Sequence, residues 1–397
     1  MNINTVEYWD KKWREQWQAY EKDPRRDALY TTILGELGEG RAVLDLGGGC
    51  SRFSKLALQQ GHRPTVADLS SWAIQHLAEN GIDGIVLDVR DYDKQNLGKF
   101  DVAVCTELLE HLDSPDSALR VLNAHAPEAW ISVPDNRMGP DELEEHQRKY
   151  TLSELAVLLQ KYYHKVSTRS VHGYLLAHVV GPLDLPDVSI LIPSTGRQTL
   201  NRTIQSLLDQ SFKQWEAIVA FNNAERNPVI LNDPRIQFID LGQVENDTGA
   251  TPRNEAFKYA RGRLIATLDD DDWWEKSFLW VMRREIQKQN VDLLYCRTNL
   301  WGRDQAVQYG SWLRRFDGET LEKAAFILSP SVLFRRKLLD GYKLHADAGG
   351  RNSDWRFYVD RHRAGYTFGC VDKPLANLCV DERIWRHWAP GGFRGTE

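Results

Sequence analysis

Short apolar runs alternate with longer amphipathic stretches along the first half of this sequence. The runs are RAVLDLG, PTVAD, GIVLD, FDVAVCTE and EAWISVP, and two more, HKVSTRSV and GYLLAHVVG, lie close enough to form a hairpin. Runs of this kind are typical of strands, and strands that alternate with helices form a mostly parallel sheet with helices on both faces. The pattern predicts an α/β fold with a hairpin at one sheet edge.

A second alternation of the same kind begins after residues 181–187. That stretch, GPLDLPD, has two prolines and no helical or strand period, and the strand VSILIP follows directly. The runs EAIVAF, IQFIDL, RLIATLD and VDLLYC continue the alternation. Because 397 residues also exceed what one hydrophobic core usually supports, we expect two α/β domains, residues 1–183 and 184–397.

Composition and charge narrow the class of protein. A net charge of −6 lacks the basic excess that binding to a nucleic-acid backbone needs. The five cysteines are scattered and odd in number, which favours a reducing compartment over a disulfide scaffold or a zinc site. The sequence starts MNINTVEYWDKKW, without a signal-peptide core, and no apolar run could span a membrane. We therefore expect a cytoplasmic protein with no membrane span.

A glycine-rich turn follows the first strand. The strand AVLDL runs into Gly47, Gly48 and Gly49, and a helix through SRFSKLALQQ comes next. This arrangement lets a nucleotide lie against the backbone. A nicotinamide pocket is the competing interpretation, but its G-x-G-x-x-G motif would need a glycine where Arg52 stands.

Acidic residues end three successive strands of the first half. Asp45 precedes the glycine turn, Asp68 ends the next strand, and Asp88 ends the one after that. The carboxyl ends of parallel strands face the crevice in which ligands bind, and a carboxylate can accept hydrogen bonds from both ribose hydroxyls. Together with the glycine turn, these residues predict a site for a nucleoside.

The segments VLDLGGG, ADLS, LDVRD and FDVAVCTELLEHLDSP resemble the motifs of class I S-adenosylmethionine-dependent methyltransferases, over residues 6 to about 180. One departure is Ser51, where that family usually has another glycine. The resemblance implies a Rossmann-like fold with S-adenosylmethionine as the cofactor. The residues it assigns to that cofactor are Asp45, Gly47, Gly48 and Gly49 at the methionine end, Asp68 at the ribose, Asp88 and Val89 at the adenine, and Glu107.

The catalytic base of the first half is harder to name, because methyl transfer depends mainly on positioning. Some relatives with a Glu-x-x-Glu-His segment bind a divalent metal there. Glu107, Glu110, His111 and His146 are therefore candidates for a base or for metal ligands, and we assign catalytic roles to the two histidines. The alternative is that Glu110 and His111 only cap and solvate the helix after the fourth strand.

Aromatic residues recur near the N-terminus at near-helical spacing. They predict a helix whose apolar face covers the donor pocket, and ordinary core packing explains the same spacing. The residues are Tyr8, Trp9, Trp13, Trp17 and Tyr20.

The segment RLIATLDDDDWW carries the main signal of the second half. Four consecutive carboxylates after an apolar strand repel one another, and they suit a place where a cation and a diphosphate sit. The alternative is a solvated acidic turn.

The second half resembles the inverting glycosyltransferases with a GT-A fold, over residues 187 to about 388. The resemblance is carried by VSILIPSTGR, ATPRNEAFKYARGRLIATLDDDDWW, ILSPSVLFRRKLL and NSDWRFYVDRHRAGY. It implies a nucleotide-sugar donor, a divalent metal (manganese or magnesium) and a single inverting displacement. The residues it assigns to the donor are Pro193, Thr195, Arg197, Asn222, Asn223, Arg253, Asp269 and Asp270.

By the same resemblance, Asp271 binds the metal and Asp354 takes the position of the catalytic base. His387 completes the metal or diphosphate site, or it is a structural histidine. Two departures from the family concern donor and base: Asn222 and Asn223 stand where relatives usually carry aspartates, and Ser353 stands where they carry glutamate.

The sequence as a whole indicates a bifunctional enzyme. One domain transfers a sugar from a nucleotide sugar to a glycan or a glycosylated small-molecule or lipid-linked acceptor, and the other methylates the glycan or glycosylated product. Two alternatives stay open: one domain is only a binding module, or the protein modifies a nucleic-acid base. The acidic net charge argues against nucleic acid as a partner.

Overall fold

The computed structural model of the chain describes residues 4–94, 97–135, 143–222, 233–242, 249–303, 307–345 and 353–380. The chain divides into two compact units, Met1–Asp184 and Leu185–Glu397, and each has a sheet of its own. The two α/β folds expected from the sequence are confirmed. No helix within the described ranges is both long enough and apolar enough to cross a bilayer.

The first unit is built on a seven-stranded sheet with the order β3-β2-β1-β4-β5-β7-β6. Strands β1 to β5 are parallel to one another, whereas β7 is antiparallel to both β5 and β6, so the predicted hairpin is confirmed. The strands are β1 (Ala42–Leu46), β2 (Arg63–Asp68), β3 (Asp83–Val86), β4 (Val102–Thr106), β5 (Glu128–Pro134), β6 (Tyr163–Val171) and β7 (Tyr174–Pro182).

Each helix of this unit begins where the sequence provides a capping signal or a turn. Thr151 and Glu154, for example, form a reciprocal capping box at the start of the last helix. The helices are α1 (Val6–Tyr20), α2 (Pro24–Leu34), α3 (Arg52–Gln59), α4 (Ser71–Glu79), α5 (Asp116–His125) and α6 (Leu152–Leu159), with short 3₁₀ turns at Val89–Lys94 and Leu109–His111.

The second unit has a nine-stranded mixed sheet. Its order is β10-β9-β8-β11-β15-β13-β16-β12, and β14 pairs with β13. The strands are β8 (Val188–Ser194), β9 (Trp215–Phe221), β10 (Ile236–Asp240), β11 (Leu264–Thr267), β12 (Trp273–Trp274), β13 (Leu293–Gly302), β14 (Gln308–Trp312), β15 (Val332–Arg335) and β16 (Phe368–Val380). The helices are α7 (Leu200–Leu208), α8 (Ala250–Phe257), α9 (Phe278–Gln289), α10 (Gly318–Lys323) and α11 (Ser353–Arg363).

Both faces of the second sheet are buried under helices. On β9, Ala217 and Val219 pack with α7 and α9, whereas their neighbours Ile218 and Ala220 pack with α8 and α11. Successive residues of a strand point to opposite faces, so the uninterrupted apolar run EAIVAF is the pattern of a strand covered on both sides. The carboxyl ends of the parallel strands β8, β9 and β11 are therefore left as the place for a site.

We expect residues 1–184 and 185–397 to fold when they are expressed separately, because each carries a complete sheet and its own core. Each piece should be soluble and should unfold in one cooperative transition by circular dichroism. A matched cut after Gly173 should give insoluble pieces, because it parts β6 from β7, which lies between β5 and β6. Aggregation of either piece from the first cut would contradict the independence of the units.

Candidate functional site

The glycine turn of the first unit is organised around the carboxylate of Asp45. This side chain is fully buried at the end of β1 and accepts hydrogen bonds from the hydroxyls of Ser51 and Ser54, the latter at 2.7 Å. A Cβ on Gly48 would lie 2.8 Å from the same carboxylate, so the turn fits only with glycine there. Asp45 therefore holds the turn from beneath.

The hydrogen bonds of Ser51 account for the presence of serine where the family usually has glycine. Its φ of 27° is in the region that favours glycine. Its hydroxyl donates to Asp45 and also accepts from the backbone N–H of Ser54 at 2.9 Å, which caps α3. The serine thus adds two hydrogen bonds in exchange for a strained backbone.

Asp68 ends β2 and faces the same turn. Its two carboxylate oxygens accept from the backbone N–H groups of Gly49 and Ser70, each at 2.8 Å. Burial raises the pKa of Asp68 to about 6, against the opposing effect of these hydrogen bonds. The predicted ribose carboxylate is therefore positioned by the backbone of the glycine turn and of the α4 N-terminus.

Helix α1 lies across this end of the sheet. Asp10 accepts from the hydroxyl of Ser70 at 2.5 Å and from the backbone N–H of Trp72 at 3.1 Å, and the ring of Trp13 lies against Gly49, where a Cβ would come within 2.0 Å of it. No residue of α1 is fully buried. Its aromatic residues are therefore half-buried and do not form a core, and Trp13 among them lies on the glycine turn.

A cavity of about 610 Å³ opens beside the glycine turn. It brings together five of the residues predicted from the sequence: Gly47, Gly48, Glu107, His111 and His146. Helix α1 contributes Trp9, Lys12, Trp13, Gln16 and Tyr20 to its wall. The other predicted cofactor residues, Asp45, Gly49, Asp68, Asp88 and Val89, do not line it, and Asp88 forms a bidentate ion pair with Arg90.

Glu107 is the acidic group of this cavity nearest to the end of β4. Its φ of 59° is unusual for a residue with a side chain, and one carboxylate oxygen is 3.8 Å from a guanidinium nitrogen of Arg26. The other oxygen is buried, and no described group donates a hydrogen bond to it. Burial raises the pKa of Glu107 to about 7, although Arg26 opposes the shift.

Glu110, His111 and His146 form a compact cluster at the cavity. One ligand-type atom of each lies within 4.8 Å of those of the others. Both carboxylate oxygens of Glu110 are buried and have no hydrogen-bond partner in the described part of the chain, and burial raises the pKa of Glu110. A buried carboxylate without donors needs either a proton or a cation, so the cluster fits a metal ion.

The ring of His111 is oriented by the backbone. Its Nδ1 is 3.1 Å from the carbonyl oxygen of Glu145, and because a carbonyl only accepts, Nδ1 donates and Nε2 keeps its lone pair. Burial, together with neighbouring His146, lowers the pKa of His111 to about 3. A neutral imidazole with a free Nε2 is the form that binds metals, whereas so low a pKa makes a weak base.

In the second unit, the acidic run Asp269–Asp272 follows β11, where it meets three arginines. Arg253, at the N-terminal part of α8, is 1% exposed and donates to Asp269 at 2.5 Å. The same guanidinium lies 3.6 Å from Asp354 on α11. Burial raises the pKa of Asp354, with Arg253 opposing. The predicted ribose, diphosphate and base residues are thus brought together.

Asp270 and Asp271 face the end of β8. Asp270 accepts from the hydroxyl of Ser194 at 2.7 Å and from the backbone N–H of Thr195 at 3.1 Å. Arg197 lies 3.3 Å from Asp270 and 2.5 Å from Asp271. Asp270 therefore ties the end of β8 to the acidic run, and Asp271 is the more exposed of the two.

The fourth aspartate, Asp272, is fully buried. One oxygen accepts from the backbone N–H of Cys379 at 2.9 Å, and the other is buried without a donor among the described residues. Arg202 donates to the backbone oxygen of Asp271 at 2.6 Å and stacks on the ring of Trp273, 3.7 Å from its centroid.

The remaining predicted donor residues lie at the ends of neighbouring strands. Pro193 is near the end of β8, and the backbone N–H of Asn222 donates to the carbonyl of Ser194 at 2.9 Å. Asn223 and His387 lie outside the described residues.

Several site residues escaped the sequence analysis. Lys12 forms an ion pair with Glu145 in the first cavity, Arg26 pairs with Glu107, and Arg202 contacts the acidic run. Each is a charged residue far along the chain from its partner, and no local pattern marks it. Asp23 followed by Pro24 is a capping signal for α2, and it could have predicted that Arg26 lies in the first turn of a helix. It could not have predicted that Arg26 lies beside Glu107.

Both halves of the chain match a protein-family model. Residues 16–166 match one described as a methyltransferase domain, and residues 189–343 match one described as glycosyl transferase family 2. Both descriptions are those of transferases. Asp354 and His387 lie beyond the second match.

Curated relatives resemble one half or the other. The second half is 34% identical, over 113 residues, to UDP-Glc:alpha-D-GlcNAc-diphosphoundecaprenol beta-1,3-glucosyltransferase WfgD of Escherichia coli. The aligned residues make up 27% of this chain and 44% of the relative. The enzyme of the same description called WfaP, also from Escherichia coli, is 37% identical over 141 residues, 32% of this chain and 55% of the relative. The first half is 25% identical, over 170 residues, to a ubiquinone biosynthesis O-methyltransferase of Bordetella avium, 41% of this chain and 65% of the relative.

The chain thus spans between 44% and 65% of the length of these relatives. One matched region falls within each of the two units. Residues 16–166 of this chain thus match a methyltransferase domain, and residues 189–343 match glycosyl transferase family 2.

Proposed function

We propose that this chain is a bifunctional transferase. Its second unit transfers a sugar from a nucleotide sugar to an acceptor with inversion, and its first unit methylates the glycan or glycosylated product with S-adenosylmethionine. The observation that carries the proposal is that each unit gathers its own set of acidic residues at the carboxyl ends of its parallel strands. The protein is expected to work in the cytoplasm.

The donor of the second unit is a uridine-diphosphate sugar in this proposal. Two relatives are named as enzymes that use UDP-Glc and act on an acceptor linked to diphosphoundecaprenol. We extend that class of donor to this chain, with a glycan or a glycosylated small-molecule or lipid-linked acceptor. Thr195, Arg197 and Asn222 would contact the nucleotide.

Asp271 would hold a manganese or magnesium ion, with Asp269 beside it. The ion, when bound, neutralises charge on the leaving diphosphate. The residues fit such an ion because four carboxylates follow one strand and a buried oxygen of Asp272 has no donor among the described residues. Arg253 would supply positive charge from the opposite side.

Asp354 would take the proton from the acceptor hydroxyl. It lies on α11 close to Arg253 and is partly buried, and its raised pKa makes it a stronger base than an ordinary aspartate. Arg253 would keep this carboxylate oriented.

In the first unit, the glycine turn and Asp68 would bind S-adenosylmethionine, which supplies an activated methyl group. The fit rests on the Gly48 position, which a Cβ would fill, and on the carboxylate of Asp68 at the edge of the turn. The acceptor hydroxyl would enter the neighbouring cavity, where Glu107 is the nearest candidate to accept its proton. Helix α1 would exclude water from the same cavity.

The roles of His111 and His146 follow from their cluster with Glu110. We propose that the two histidines act as ligands of a divalent metal, which would orient the acceptor hydroxyl. The lowered pKa of His111 supports a ligand role over that of a base.

Asp68→Ala should abolish binding of S-adenosylhomocysteine and leave sugar transfer intact. Two charge-assisted hydrogen bonds are worth about 3 kcal/mol or more, so the affinity should fall roughly 100-fold or more. Isothermal titration calorimetry measures the change. Asp83→Ala, an exposed residue at the amino end of β3, is the matched control. Undiminished affinity in Asp68→Ala would reject the assignment of the ribose site.

Asp271→Ala should lose metal-dependent binding of UDP-glucose, whereas Asp354→Asn should bind it and lose turnover. Asp271 contributes to donor binding through the cation, so its loss weakens the complex before any reaction takes place. An amide at position 354 leaves donor binding unchanged but cannot accept a proton in the transition state. Calorimetry with and without Mn²⁺, beside an assay of UDP release, separates the two effects. If Asp354→Asn keeps full turnover, the base lies elsewhere, and Asp360 is the next residue to test.

His146→Ala should remove a second Mn²⁺ site, measured by calorimetry in the Asp271→Ala background. Loss of a ligand should weaken this binding roughly 10-fold or more, since even outer partners of metal ligands have effects of that size. Binding of S-adenosylhomocysteine should be unchanged. His125→Ala is the control, because His125 is the half-buried last residue of α5 and does not belong to the cluster. Equal Mn²⁺ affinity in the two variants would show that the cluster does not bind a metal ion.

A further inference from the structure

The acidic run of the second unit is paired with arginines. Arg253 pairs with Asp269, and Arg197 pairs with both Asp270 and Asp271. The carboxylate proposed to hold the metal, Asp271, is thus already in contact with a positive charge. The guanidinium of Arg197 opposes the binding of a metal ion there, because two cations beside one carboxylate repel each other.

The two arginines differ in their freedom to move. Arg253 is 1% exposed and lies between Asp269 and Asp354, so its position is held on both sides. The Arg197 side chain is 53% exposed and belongs to the segment between β8 and α7, and its ion-pair contacts are with the acidic run alone among the described residues. Arg197 is therefore the partner that can leave.

We infer that Arg197 competes with the divalent metal for Asp271 and moves to the diphosphate of the donor when metal and nucleotide bind together. This inference rests on the proposed function of the second unit. It adds a regulatory role for Arg197 that the nucleotide-contact assignment does not contain.

The charges explain why the two ligands would bind together. A metal ion that binds alone displaces Arg197 from Asp271, the closer of its two carboxylate partners. A nucleoside diphosphate offers the same guanidinium a phosphate, which an arginine can bind through two parallel hydrogen bonds. Each ligand therefore raises the affinity for the other, and by linkage the two effects are equal.

The structure also explains why Asp270 does not compensate for the loss of Asp271. Asp270 is held by the hydroxyl of Ser194 and the backbone N–H of Thr195, and it is nearly buried. Its distance to Arg197 is 3.3 Å, against 2.5 Å for Asp271. When Arg197 leaves Asp271, it therefore loses its closest ion-pair contact.

The test measures Mn²⁺ binding to the full-length protein by electron paramagnetic resonance, with and without UDP. In Arg197→Gln, we expect Mn²⁺ alone to bind roughly two- to fivefold more tightly than in the unmodified protein, the range that a partly exposed ion pair supports. UDP should then enhance Mn²⁺ binding less than it does in the unmodified protein. Arg197→Lys should retain part of the coupling, because it keeps the charge.

Two controls isolate the effect. Asp271→Ala defines the Mn²⁺ bound elsewhere in the chain, including at the His111 cluster. Arg363→Gln removes a comparable surface pair with Glu322 at the far end of α11 and should behave as the unmodified protein does. Circular dichroism checks that each variant is folded.

The outcomes separate this inference from the proposed function. If UDP strengthens Mn²⁺ binding in the unmodified protein and Arg197→Gln changes neither the affinity for Mn²⁺ alone nor the coupling, the competition is wrong and the metal-dependent donor site stands. If Mn²⁺ does not bind through Asp271 even with UDP, both are wrong. Tighter binding of Mn²⁺ alone with weaker coupling supports the inference.

Discussion

Carboxylates at the buried ends of parallel strands are the constraint on which both units depend. A carboxylate removed from water is costly unless donors or cations surround it. Asp45 and Asp68 in the first unit, and Asp270 and Asp272 in the second, are all buried there. The turns, caps and ion pairs around the two sites are arranged largely to satisfy these four groups.

The two units satisfy their carboxylates in different ways. In the first unit the partners of Asp45 and Asp68 are hydroxyls and backbone N–H groups, which add no charge. In the second unit the buried Asp270 and Asp272 likewise accept from a hydroxyl and from backbone N–H groups, whereas the more exposed Asp269 and Asp271 pair with the guanidinium groups of Arg253 and Arg197. Hydroxyl and N–H donors add no charge, whereas a guanidinium adds positive charge that can also attract a phosphate.

The main elements of both folds were predictable because their signals are local. Apolar runs marked the strands, and the acidic residues that end them marked the sites. The position of Asp354 beside Arg253 was reached only through resemblance, since the two residues are far apart in sequence. The pairs of Lys12 with Glu145 and of Arg26 with Glu107 were missed, because such pairs depend on how distant elements pack.

By itself the sequence determined the two α/β halves, the glycine turn and the acidic run, because backbone geometry and hydrophobic periodicity act over a few residues. Only the tertiary structure decided which charged groups meet. It placed α1 over the glycine turn, set His111 beside His146, and put Arg197 on Asp271. Electrostatic contacts act through space, so the packing of whole elements determines which charged residues become partners. Such pairs therefore produce no periodic pattern in the sequence.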